Sequence, residues 1–211
     1  MTARPALYGF DGSTYVRTVR MVLADKGVEY DQVPVNVLAG EPKQPAHLAR
    51  HPFGKVPVLD IDGVRIRETD AICRYLDEIK PTPALIPANA KDRARMAEAI
   101  NLINSYGYPS LIGAAGYYLF PDLIGGKNDA AHAICLDDAE KLLKLLMENK
   151  GDSAWLAGPA PSLADYFLGP ILFYISLTPD AERLLAVPGV AEWWEAMQQV
   201  QSFKSTEPDL G

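Results

Sequence analysis

Cysteine is scarce in this chain of 211 residues: only Cys73 and Cys135 occur, far apart and each within a helical pattern. Neither a disulfide framework nor a Cys-x-x-Cys redox pair can be built from them, which favours a reducing, cytoplasmic setting. Runs of Lys and Arg are missing too, and the formal net charge is −7. A nucleic-acid partner needs a clustered basic surface, so that class of function is excluded. No apolar stretch approaches the ~18 residues of a membrane span, and Met1-Thr2-Ala3-Arg4-Pro5 holds no apolar signal core. Internal repeats and low-complexity tracts are absent. Gly125-Gly126-Lys127 lacks both the earlier Gly and the following Ser or Thr of a phosphate-cradling loop. What remains, with 48% hydrophobic residues, is a soluble globular chain able to bury one large core or two modest ones.

Taken in order, Pro5 to Phe10 reads as a short strand broken by Asp11-Gly12. Ser13-Thr14 can cap a helix whose buried stripe is Val16, Val19, Val22 and Leu23, with Lys26-Gly27 as its stop. Val28 to Val37 is rich in β-branched residues and reads as a second strand, near an edge because of Pro34. After a polar, Pro-containing segment to Arg50, Val58 and Leu59 continue a third strand. Asp62-Gly63 supplies a tight turn, and Val64 and Ile66 alternate with Arg65 and Arg67 in a fourth. Glu68-Thr69-Asp70 then opens a helix carrying Ile72, Tyr75, Leu76 and Ile79 on one face. A βαβ unit followed by a ββα unit is the order of the thioredoxin-like fold. Without Cys-x-x-Cys at the first helix, thioredoxin chemistry proper is not expected.

Pro81, Pro83 and Pro87 give 81–91 a linker composition, and beyond it strand signals nearly vanish. Asp92 to about Phe120 is a long helical pattern with Ile100, Ile103 and Leu111 on its apolar side, and Gly107 and Pro109 predict a kink or break. Leu136, Ala139, Leu143 and Leu146 define another helix, ending near Lys150-Gly151. Ser162 and Asp165 stand in the N-cap and N3 relation of a capping box. Val190, Trp193, Trp194, Met197 and Val200 mark a final amphipathic helix. The expected fold class is α/β plus all-α: a thioredoxin-like domain over 1–80, a linker over 81–91, and an all-helical domain over 92–211.

The chemistry concentrates in Pro52-Phe53-Gly54-Lys55-Val56-Pro57-Val58-Leu59-Asp60 and in Arg67-Glu68-Thr69-Asp70-Ala71-Ile72. Pro57 has no N–H and suits a strand start, which leaves the amide and carbonyl of Val56 without a strand partner. Such an edge accepts an extended, peptide-like ligand as an added strand. Hydroxyl and backbone N–H groups at Thr69 form an anion site at a helix N-terminus, and Glu68 offers a partner for an ammonium. An α-amino acid end fits both. From spacing alone, an ordinary trans Val56-Pro57 and a mere N-cap at Thr69 are favoured. Ser13 can donate a hydrogen bond to a thiolate held at the positive end of its helix, or it can act as an N-cap worth about 1 kcal/mol and nothing more. His47 and His51 are four apart, but no third ligand is evident and Pro52 interrupts the pattern, so no metal is expected.

HPFGKVPVLD and ETDAICRYL resemble the glutathione-binding half of the cytosolic glutathione S-transferases, whose pattern reads N-P-x-G-x-V-P-x-L and then E-S-x-A-I. His51 stands where Asn is usual, and Thr69 where Ser is usual. L-Y-G-x-x-x-S-x-x-x-R, from Leu7 to Arg17, is similar to the serine-type classes, and the whole most resembles a bacterial member akin to the phi class. The resemblance implies glutathione bound along Val56-Pro57, its γ-glutamyl end at Glu68 and Thr69, and its thiolate held by Ser13, with Thr14 the nearest competitor and Tyr8 a weaker one. Lys43 and Lys55 would reach the glycine carboxylate, although Pro42 replaces the His that precedes the phi-class Lys. It also implies an electrophile site between the domains, with Phe10, Tyr106, Tyr117 and Phe120 as candidates by position. Ser162-Leu163-Ala164-Asp165 resembles the family's structural N-capping motif. The implied activity is conjugation of glutathione, as co-substrate, to small hydrophobic electrophiles by a cytoplasmic homodimer. Asp70 would either touch the partner subunit's glutathione or form a surface salt bridge. Glutathione-dependent peroxidase, disulfide reductase, isomerase or dehalogenase activity, or non-catalytic binding, are the alternatives.

Overall fold

The computed structural model describes residues 4–209, so Met1-Thr2-Ala3, most of the stretch expected to lack a signal core, lies outside the described residues. Two units emerge: residues 4–84 together with 201–209, and residues 85–200.

In the first unit β1 (Ala6–Tyr8) is buried at Leu7 and leads into α1 (Thr14–Asp25). Gly9 is required between them, because a Cβ there would lie 2.3 Å from Val16 Cγ2 where the chain passes the helix. β2 (Asp31–Val33) pairs parallel to β1. It is shorter than the Val28–Val37 expected from composition, since β1 offers three partners and Pro34 removes the next donor. After a short α2 (Pro45–Leu48), β3 (Val58–Ile61) pairs antiparallel to both β1 and β4 (Val64–Arg67), giving the sheet order β2-β1-β3-β4. Asp62 and Gly63 both take positive φ, 51° and 78°, as the hairpin turn expected there demands. β4 lies at the edge, and Val64 is exposed rather than half-buried.

α3 (Thr69–Ile79) packs against α1 through Ile72, Cys73 and Leu76; Ile79, expected on that face, is exposed at the helix end. Lys26, at the end of α1, is buried: its ammonium lies 2.6 Å from Asp77 Oδ1 of α3 and donates to the Pro83 carbonyl. A buried cation persists only with such partners.

The second unit is all-helical among the described residues apart from an isolated bridge, Trp155 to Gly158. α4 (Ala90–Leu102) is capped by Asn89, whose Oδ1 accepts the Asp92 amide at 2.9 Å, so it starts ahead of the expected Asp92. Ile103–Gly107 forms a π-helical turn, and α5 (Tyr108–Leu119) follows with Pro109 in its first turn. The break expected at Gly107 and Pro109 takes this widened form, at which the Pro109 N–H is missing from the ladder. α6 (Asp129–Lys150) ends at Gly151 with φ +55°. α7 (Leu163–Ser176) is the buried centre of the unit, and α8 (Ala181–Leu185) and α9 (Val190–Gln199) complete it.

Asp165 is fully buried: Oδ1 accepts from Leu156 N–H at 3.0 Å and Trp193 Nε1–H at 2.8 Å, and Oδ2 from Ser162 N–H and Oγ–H, each at 2.9 Å. Val200, read as part of the last amphipathic helix, is extended at ψ 124° and ends it. The following α10 (Gln201–Ser205) groups with the first unit and packs on α1. Among the described residues no helix is long and apolar enough to cross a membrane.

Candidate functional site

The sheet register brings the chemistry to one end. Tyr8 pairs with Val58, and Val58 pairs with Arg67. The chain leaves β1 after Tyr8 toward Ser13, enters β3 from Val56-Pro57, and leaves β4 after Arg67 into Glu68 and Thr69. Three strand ends, each about 4.8 Å from the next, therefore present these residues at the same edge of the sheet.

Ser13 is half-buried at the N-cap of α1, with φ −80° and ψ 122°. Its amide donates to the Phe10 carbonyl at 3.1 Å, and its Oγ accepts the Val16 amide at 3.3 Å. The hydroxyl proton has no acceptor among the described residues. The loop before it is held by Asp11, whose Oδ1 accepts from Arg20 Nη1 at 3.0 Å and Gln32 Nε2 at 2.7 Å. The competing hydroxyls are placed differently. Thr14 is 5% exposed, with Oγ1 unpartnered among the described residues, and Tyr8 donates its phenol to Asp60 Oδ2 at 3.3 Å beneath the Arg50 guanidinium. Both cysteine thiols are pushed up by burial, so neither is a thiolate source.

Val56-Pro57 is cis, and neither the amide nor the carbonyl of Val56 has a partner among the described residues. The loop before it is tightly built. His47 Nε2–H donates to the Lys55 carbonyl at 2.8 Å, and Lys43 Nζ donates to the Phe53 carbonyl at 3.1 Å. Gly54 takes φ +60°, and a Cβ there would lie 2.6 Å from the Pro42 carbonyl oxygen. Lys43 and Lys55 are both exposed.

Thr69 is the first residue of α3 and is buried, with its hydroxyl unbonded among the described residues. Glu68 occupies the N-cap with φ 67° and ψ 124°, a conformation few side-chain-bearing residues adopt. Its carboxylate is 78% exposed and lies 3.7 Å from Nε2 of the buried His51. Asp70 pairs with Arg74 at 2.8 Å. Among the described residues no group of three or more His, Cys, Asp or Glu is arranged to hold a metal ion.

The four aromatic candidates are not gathered in either unit. Phe10 sits in the first unit, after β1, whereas Tyr106, 64% exposed, Tyr117 and Phe120 belong to the second. Tyr117 donates to Asp129 Oδ1 at 2.5 Å and stacks on His132 at 4.4 Å; Phe120 meets Tyr174 edge-on at 5.7 Å. The His51–Glu68 approach and the strained Glu68 backbone were not read from the sequence. The nearest signal was the departure from the resembled pattern at His51.

A four-stranded β2-β1-β3-β4 sheet built in the order βαβ-ββα defines the thioredoxin-like class, and an all-helical unit accompanies it here. Residues 7–84 match the family model for the glutathione S-transferase N-terminal domain. The chain is 30% identical to glutathione S-transferase F13 of Arabidopsis thaliana over 97% of its own length and 95% of that protein. It is 31% identical to maleylacetoacetate isomerase of Pseudomonas aeruginosa, covering 96% of this chain and 92% of the relative. The solved structure of glutathione S-transferase I from maize in complex with an atrazine glutathione conjugate superposes with a TM-score of 0.85 at 28% identity, over 97% of each chain. The chain belongs to the glutathione S-transferase family and is a glutathione transferase enzyme.

Proposed function

We propose that the protein is a serine-type glutathione transferase that joins the glutathione sulfur to small hydrophobic electrophiles. The observation that supports this is the Tyr8–Val58–Arg67 register, which brings to one end of the sheet the three strand ends from which the chain runs to Ser13, to Val56 and to Glu68-Thr69. A tripeptide-like ligand laid along Val56 pairs with its free amide and carbonyl as an added strand. The γ-glutamyl carboxylate meets the Thr69 hydroxyl and the first amides of α3, while its ammonium meets Glu68. Lys55, and Lys43 once it releases the Phe53 carbonyl, serve the glycine carboxylate.

Ser13 supplies the chemistry. Its hydroxyl proton, having no acceptor among the described residues, donates to the ligand sulfur at the positive end of α1. A thiol near ~8.5 is only a few per cent thiolate at neutral pH, and lowering it by one to two units makes roughly a quarter to three quarters of it thiolate. The thiolate then attacks an electrophilic carbon, a C–S bond forms, and the leaving group departs with its electron pair. Phe10, Tyr106, Tyr117 and Phe120 are proposed as residues that meet the electrophile. Assembly as a cytoplasmic homodimer completes the proposal.

Isomerisation is the second reading, favoured by the maleylacetoacetate isomerase relative at 31% identity. There the same thiolate adds and is expelled again, and glutathione is recovered unchanged. Calorimetry of glutathione binding tests the site: tight binding by the protein, lost at least tenfold in Thr69→Val, is expected, and no binding at millimolar glutathione would overturn it. Product analysis then separates a thioether from isomerised substrate or oxidised glutathione, and light scattering reads the dimer.

A further inference from the structure

We propose that His51 is a positioning residue that makes the Glu68 site's affinity for an ammonium depend on pH, because protonated His51 competes for the Glu68 carboxylate. This rests on the glutathione site proposed above and deepens it.

His51 is 2% exposed, its amide donates to the His47 carbonyl at 2.8 Å, and its carbonyl accepts from Gly54 at 2.8 Å. The ring meets Phe53 edge-on at 6.2 Å and is held where its Nε2 lies 3.7 Å from Glu68 Oε1. That distance is too long for a hydrogen bond and short enough for an ion pair. Nδ1 is buried with no partner among the described residues. A neutral imidazole can leave Nδ1 as a lone pair, whereas an imidazolium must carry a second buried donor there.

The charged and titratable groups facing His51 are Glu68 at the start of α3, Arg67 at the end of β4, and His47 in α2. Burial holds the imidazole below its ordinary value of 6.5, Arg67 and His47 push the same way, and Glu68 and the backbone of His51 itself oppose them. At neutral pH His51 is therefore uncharged, and the exposed Glu68 carboxylate is left to a ligand ammonium. As pH falls through the His51 midpoint, the imidazolium takes up part of that charge, and an arriving ammonium meets a like charge beside its partner. Proton and ligand then exclude each other, so binding lowers the His51 midpoint further and releases up to one proton.

S-methylglutathione is the probe, since its thioether cannot titrate. Calorimetry in two buffers of different ionisation enthalpy, between pH ~5 and ~7, counts the protons released, and affinity falls by no more than ~10-fold per pH unit for one competing proton. The expected result is several-fold weaker binding at the acidic end with proton release in the wild type, and a nearly flat profile with retained neutral-pH affinity in His51→Asn, or in His51→Gln should the Asn variant not fold. An unchanged profile in the variant, or a loss uniform across pH, overturns the inference while leaving the glutathione site standing. Wild-type protein that binds no probe at any pH overturns both. NMR titration of the three histidines tests the link without ligand: one midpoint lies below 6.5 and falls further in Glu68→Gln, and an unmoved set contradicts it.

Discussion

Arg17 of α1 and Phe203 of α10 are joined twice across 186 positions of sequence: Nη2 donates to the Phe203 carbonyl at 2.9 Å, and the guanidinium carbon sits 4.0 Å above the Phe203 ring. Arg17 is 2% exposed, so the last helix is part of the lid over a buried cation one turn beyond Ser13. Phe203→Ala removes the ring and opens that lid, and should cost about 3–4 kcal/mol in urea denaturation. Arg17→Met, which removes the charge along with its partner's role, should cost less. A Phe203→Ala change within about 0.5 kcal/mol of wild type would show that α10 merely rests on the unit.

Asp165 in the second unit is held by four hydrogen bonds, and burial pushes its carboxyl up against them. Asp165→Ala strands the Leu156 and Ser162 amides and the Trp193 indole N–H in a dry interior. The expected loss is about 3–5 kcal/mol, with a red shift of tryptophan emission as Trp193 meets water. Near-wild-type stability would mean that water replaces the carboxylate at little cost.

Asp60 in β3 accepts from Arg65 Nε at 2.7 Å and Nη2 at 2.6 Å, and this pairing holds its carboxyl below the ordinary carboxylate value. A depressed folded-state pKa gives stability that is present above the unfolded value of about 3.9 and lost as pH falls through the lower, folded one. Wild type should therefore exceed Asp60→Asn in stability at pH ~7, and the gap should close below pH ~4. Because the pair is partly exposed, the gap is small. A gap that persists unchanged at low pH would contradict this.

Legibility in the sequence followed the range of the interaction. Turn and cap chemistry acts over three or four residues, so Asp62-Gly63, the Ser13 cap and the Ser162–Asp165 pair were readable as they stand. Val28 to Val37 was overextended because β-propensity carries no information on how many partners β1 has to offer. Lys26 and Arg17 are charged and yet buried, each beside a partner 51 or 186 positions away, and His51 is buried with Glu68 approaching it from 17 positions on. Hydropathy patterns cannot see such pairs. In the site, Pro57 disclosed the open backbone at Val56, whereas the positive φ of Glu68 has no signature of its own.

The central claim is that Ser13 activates a thiol bound at this edge, and ultraviolet titration of the thiolate of bound glutathione tests it most directly. In the wild type the bound thiol should titrate one to two units below its free value of about 8.5, and in Ser13→Ala it should rise by about one unit while glutathione still binds. A Ser13→Ala protein whose bound thiol titrates as in the wild type would contradict the account and return Ser13 to the role of a helix cap.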